Sequence, residues 1–85
     1  MKTVYIDVRT KEEFEEGTVP GAINIDICDL TEEVAGRLIP KDAFVVAFCA
    51  SGGRSARAVS LMQKYGYTNV VNGINKEKVL QKYLH

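Results

Sequence analysis

Strand-length apolar runs and helix-period segments alternate along this chain, which sets its first structural expectation. Val4-Tyr5-Ile6-Asp7-Val8 reads as an opening strand. Thr10-Lys11-Glu12-Glu13 has capping-box spacing, Thr10 at the N-cap and Glu13 three residues on, and predicts a short helix ending near Gly17. Pro20-Gly21 turns the chain into Ala22-Ile23-Asn24-Ile25, a second short strand. Asp29 or Thr31 caps a helix whose apolar face is Leu30, Val34 and Leu38, and Pro40-Lys41-Asp42 breaks it. Phe44 to Phe48 is near-continuously apolar, as in a central strand covered on both faces. Ala58, Leu61, Met62 and Tyr65 then recur at helical spacing ahead of Gly66. Asn69-Val70-Val71-Asn72 is a last strand. Asn75 caps a closing helix with Val79, Leu80, Tyr83 and Leu84 on its face and Ile74 and Val79 in staple positions. The alternation predicts an α/β fold with a mainly parallel sheet, and with no linker or repeat, residues 1–85 read as a single domain.

Eleven basic and eleven acidic residues cancel, so the chain offers no global attraction for nucleic acid or an anionic membrane. No apolar stretch approaches the roughly 18 residues of a membrane span. An acid as early as Asp7 argues against a signal peptide, and a cytoplasmic monomer is expected. Cys28 and Cys49 lie 21 positions apart without companion histidines, which argues against a metal site. A reducing compartment would keep both as thiols.

Chemistry concentrates in Phe48-Cys49-Ala50-Ser51-Gly52-Gly53-Arg54-Ser55. This order places a thiol at the carboxyl end of a buried strand and at the mouth of a helix amino terminus. Ligands of open α/β sheets bind in that crevice, and unpaired amides with the helix dipole stabilise an anion there. Gly52 and Gly53 permit a tight curl of inward-facing N–H groups, and Arg54 adds a permanent charge. A cysteine so placed has its pKa drawn from about 8.5 toward roughly 3.5–7.5. The bland alternative is a buried core cysteine beside a turn that needs glycine anyway.

The only histidine is His85, at the chain end, so no Cys–His pair for acyl transfer is expected. The thiolate then suits reactions whose leaving group is already a good anion. Sulfur-atom transfer and attack on a phosphate ester both use an arginine-assisted thiolate, and the second also needs a general acid for its alkoxide.

Ile6-Asp7-Val8-Arg9, Glu13-Phe14, Val19-Pro20-Gly21-Ala22-Ile23-Asn24-Ile25, the Phe48–Ser55 loop, Gly66-Tyr67 and Asn69-Val70 resemble, in order, the motifs of the rhodanese (sulfurtransferase) domain. The resemblance covers about the first 73 residues. It implies a small three-layer α/β fold with a mainly parallel, roughly five-stranded sheet and helices on both faces. It also implies that Cys49 carries a persulfide held by the backbone N–H groups of Ala50, Ser51, Gly52, Gly53, Arg54 and Ser55. The expected activity is ping-pong transfer of a sulfane sulfur from a small anionic donor such as thiosulfate to cyanide, a thiol or a protein thiol, without a cofactor. Protein tyrosine phosphatases and their relatives have a cysteine-to-arginine loop one residue longer than the four residues here, so a phosphatase or arsenate reductase is the alternative enzyme. A non-catalytic, partner-binding rhodanese module is the other alternative, and the retained Cys49 argues against it.

Around the loop, Arg54 is read as the donor-anion contact in preference to a partner for a nearby carboxylate. The Ser51 and Ser55 hydroxyls either touch the substrate or cap the helix, with capping favoured for Ser55, and Arg57 is read as a solvated charge in preference to a wider positive rim. Asp7 and Arg9 are read as an ion pair or cap bracing the loop, with Glu13 as a further candidate member, and the acidic pairs Glu12-Glu13 and Glu15-Glu16 otherwise as a solvated helix face. Cys28 is read as an ordinary small hydrophobe, with a resolving thiol as its functional alternative. The family often has a histidine where Thr18 stands, and Asn72-Gly73-Ile74-Asn75 lacks the paired glycines and tryptophan common there. Those departures predict a shallow, open site.

Overall fold

The structure is a computed structural model describing residues 2–84, so His85 lies outside the described residues. Its strands are β1 (Thr3–Asp7), β2 (Ile23–Asn24), β3 (Phe44–Cys49) and β4 (Val70–Asn75), all parallel and ordered β2-β1-β3-β4. The helices are α1 (Lys11–Glu16), α2 (Glu32–Leu38), α3 (Gly53–Lys64) and α4 (Lys76–Tyr83), with a 3-10 turn over Ile27–Asp29.

Alternation along the two central strands builds the layers. Val4 and Ile6 of β1 join Val45, Ala47 and Cys49 of β3 in one core, with Ala35 of α2 and Ala58 and Met62 of α3. Val46 and Phe48 point the other way, onto Val79 of α4. Helices therefore cover both faces, which is why β3 needs an unbroken apolar run. Beyond α3 the buried Tyr67 hydroxyl lies 2.9 and 2.7 Å from the carbonyls of Ala35 and Ile39, and its one proton serves the carboxyl end of α2, where the Ala35 carbonyl already accepts from the Ile39 amide.

The sheet has four strands among the described residues, not the roughly five implied by the resemblance. All four are readable from their apolar runs, and the remaining segments of the described chain are helices and turns. Leu38 also departs from expectation. With Thr31 as N-cap, accepting from the Val34 amide, α2 turns Ala35 inward and leaves Leu38 49% exposed. On α4, Val79 is buried while Leu80 and Leu84 are exposed.

Strand order reverses between β1 and β3, because the chain leaves β1 for β2 on one side and β3 for β4 on the other. The loops diverge there and leave a crevice at the carboxyl ends of both strands. One irregularity sits beside it. Ala47 pairs with Asn72 but Phe48 pairs with Ile74, so Gly73 is the extra residue of a bulge in β4. Ile74 there holds φ 75°, a conformation disfavoured for a β-branched side chain.

Candidate active site around Cys49

Cys49 is the last residue of β3 and is 2% exposed. After it the chain curls through Ala50 and Ser51 to Gly52, whose φ of 97° makes it the left-handed N-cap of α3. A Cβ at Gly52 would lie 3.3 Å from Cγ2 of Ile74, so glycine serves both backbone conformation and close approach. The curl aims the amides of Gly52 and Ser55 at the Cys49 sulfur, at 3.1 and 3.4 Å, with the Ser55 hydroxyl also 3.4 Å away. Burial pushes the Cys49 thiol up, but the hydrogen bonds available to the ionised sulfur, from the Ser55 side chain and the Ser55, Gly52 and Ser51 amides, outweigh it and draw the pKa down to about 7. The thiol is thus partly ionised near neutrality.

Ser55 does not cap the helix. Because α3 starts at Gly53, Ser55 falls in its first turn, buried and facing the sulfur. Its hydroxyl donates to Asn72 Oδ1 at 2.6 Å. Ala50, Ser51 and Gly53 lie exposed on the outer side of the loop.

Arg54 makes the carboxylate pairing, the less favoured of its two sequence readings. Its two terminal nitrogens donate to Glu13 Oε1 and Oε2 at 2.7 and 3.1 Å. Glu13 also completes the capping box, accepting from the Thr10 amide at 3.1 Å while Thr10 Oγ1 accepts from the Glu13 amide. The Arg54 guanidinium, helped by the Thr10 backbone, holds the Glu13 carboxyl down at about 2. Glu13 therefore ties α1 to the loop and is no solvated face. Its carboxylate also raises the Arg54 pKa.

Asp7 and Arg9 form the expected ion pair, but it braces the corner between α1 and β2, and none of its hydrogen bonds reaches the Cys49 loop. Arg9 Nη2 donates to Asp7 Oδ2 and to the Gly17 carbonyl, both at 2.7 Å, and Arg9 Nε donates to Asp7 Oδ1 at 2.9 Å. Thr18 donates its hydroxyl to Asp7 Oδ2 at 2.8 Å. Asn24 closes the same corner, donating to the carbonyls of Asp7 and Arg9. Cys28 is exposed, and with Ile27 and Arg57 it lines a depression of about 200 Å³.

Sequence reasoning missed Asn72. Its Oδ1 accepts from Ser55 and from the Ile74 amide, and its Nδ2 donates to the Gly52 carbonyl at 3.1 Å. The available signal was Gly73 inside a strand pattern, which marks a bulge that re-aims a neighbouring side chain.

A parallel α/β sheet here presents a cysteine in an amide-lined turn at its switch point, an arrangement that stabilises negative charge. Residues 1–74 match the rhodanese-like domain, and the chain belongs to that family. It is 35% identical over 68 residues to the thiosulfate sulfurtransferase PspE of Escherichia coli (strain K12), covering 80% of this chain and 65% of that protein. It is 37% identical over 78 residues to the human thiosulfate:glutathione sulfurtransferase, covering 78% of this chain and 68% of that one. Among solved structures, a rhodanese with anions from E. coli superposes with a TM-score of 0.80 at 32% identity, covering 89% of each chain. The chain thus spans slightly less than two thirds of PspE. No described helix is long and apolar enough to cross a membrane.

Proposed function

We propose that this protein is a sulfurtransferase in which Cys49 accepts and passes on a sulfane sulfur. One observation carries the reading: the Cys49 sulfur lies at the sheet's switch point and receives two backbone amides. In the first step the Cys49 thiolate attacks the outer sulfur of a donor such as thiosulfate. The donor's S–S bond breaks, sulfite leaves with the electron pair, and Cys49–S–S⁻ remains. In the second step a nucleophilic acceptor (cyanide, a thiol or a protein thiol) takes the outer sulfur and the Cys49 thiolate leaves. Neither leaving group needs a proton, which suits a loop whose catalytic resource is amide donors. Of the loop residues, Gly52 and Ser55 hold the resident sulfur. The amides of Ala50, Gly53 and Arg54 are assigned to the added atom, and the Ser51 amide is shared between it and the resident sulfur.

The bidentate pair with Glu13 gives Arg54 a second role beside binding the donor anion, that of anchoring the loop. Two free thiols suit a reducing compartment such as the cytoplasm, and a monomer is assigned as the default state of one 85-residue domain. Intact mass spectrometry after incubation with thiosulfate tests the proposal. Gain of one sulfur atom, removed by cyanide and never formed in Cys49→Ala, supports it. Absence of any adduct, or Cys49-dependent release of phosphate from an aryl phosphate instead, overturns it.

A further inference from the structure

The Ser55 hydroxyl has one proton and two claimants. It lies 3.4 Å from the Cys49 sulfur and 2.6 Å from Asn72 Oδ1. The orientation of the Asn72 amide is fixed by its other contacts: Nδ2 must face the Gly52 carbonyl at 3.1 Å, and Oδ1 must accept from the Ile74 amide at 2.9 Å. The oxygen facing Ser55 therefore accepts only, and the hydroxyl proton goes to Asn72. That leaves a hydroxyl lone pair toward the sulfur, positioned to accept from a neutral S–H group. A thiolate instead requires the hydroxyl to rotate and give up Asn72.

We propose that Asn72 is a positioning residue that competes with the Cys49 sulfur for the Ser55 hydroxyl proton and so sets how much of the thiol is ionised at neutral pH. The β4 bulge makes the competition possible. Skipping Gly73 in the register lets the Asn72 side chain reach the Gly52 carbonyl and the Ser55 hydroxyl together. Gly73 is held to glycine by the core, since a Cβ there would lie 2.6 Å from Val79 Cγ2 and 2.8 Å from Val46 Cγ1. The bulge, its strained Ile74 and the Asn72 bonds form one unit behind the loop.

The consequence for sulfur transfer rests on the function proposed above, but the competition itself is a property of the thiol. The charged groups facing this corner are Arg54 on α3, its partner Glu13 on α1, and Asp26 before the 3-10 turn. All are unchanged by the substitutions below and cancel in a cycle.

The test is a double-mutant cycle on Asn72→Ala and Ser55→Ala, in a Cys28→Ser background that leaves Cys49 as the only thiol. The readout is the pH midpoint of iodoacetamide alkylation, with thermal melts confirming that all four proteins fold. With Ser55 present, Asn72→Ala releases the hydroxyl to the thiolate. Its effect on the midpoint is then more acid-shifted than in the Ser55→Ala protein, by about 0.5–1 on the pH scale, the size of one hydrogen bond. Any general loosening of the loop moves both backgrounds alike and drops out. An equal shift in both backgrounds overturns the proposal. Coupling without a thiosulfate adduct would sink the sulfurtransferase reading alone, and an adduct without coupling would sink the role of Asn72 alone.

Discussion

Replacing Gly73 by alanine tests the packing behind the candidate site. The new methyl would come within 2.6 Å of Val79 Cγ2 and 2.8 Å of Val46 Cγ1, closer than carbon atoms pack. Both valines are fully buried and branched, so neither has a free end to swing aside. Two escapes remain. If the core absorbs the methyl, overpacking costs about 1–3 kcal/mol. If α4 lifts instead, it exposes Val79, its only buried residue, at a cost of about 1.5–3 kcal/mol. Either route gives about 2 kcal/mol, which for a domain of this size lowers Tm by about 8–16 °C. Circular dichroism melts at neutral pH measure it. Gly36→Ala is the control: it meets nothing within 4 Å and sits inside α2, so it should raise stability by about 0.5–1 kcal/mol. A Gly73→Ala protein melting with the wild type would refute the reasoning and show that the bulge has room for a side chain.

Three further outcomes are expected. Alkylation of Cys49 should titrate with a midpoint near pH 7, and a midpoint at the ordinary thiol value of about 8.5 would deny the amides their effect. Glu13, held at about 2 when folded against 4.5 unperturbed, contributes stability that is present above pH 4.5 and lost as pH falls toward 2. Glu13→Gln should therefore flatten that acid limb in urea midpoints measured across pH. Asp7→Ala strands the Arg9 guanidinium at 8% exposure and should cost about 3–5 kcal/mol in urea unfolding, while Thr18→Val, removing one donor to Asp7, should cost about 1–3 kcal/mol.

What could be read from the chain was what is local or periodic. The apolar run of β3 and the glycine pair after Cys49 place the thiol correctly, because strand, turn and helix start lie within one short segment. Asn75, whose side chain accepts from the Lys78 amide, was legible for the same reason. Contacts that close over distance were harder to read. Glu13 and Arg54 are 41 residues apart, so nothing in either neighbourhood announced that they would meet. Ser55 was misjudged because serine near a helix start usually caps it, whereas left-handed Gly52 begins α3 early and turns Ser55 inward. Asn72 was unreadable as a site residue because its role depends on a register slip that two-residue strand alternation does not encode.

The separation of these partners bears on the life of the chain before it folds. Gly52 and Ser55 are close to Cys49 in sequence, but the groups that hold their curl in place arrive from Glu13 and Asn72, far upstream and downstream. A nascent or heat-opened polypeptide consequently carries an ordinary, sluggish cysteine. The lowered pKa arises only once the whole sheet has assembled, which makes the pH midpoint of thiol labelling a gauge of native structure.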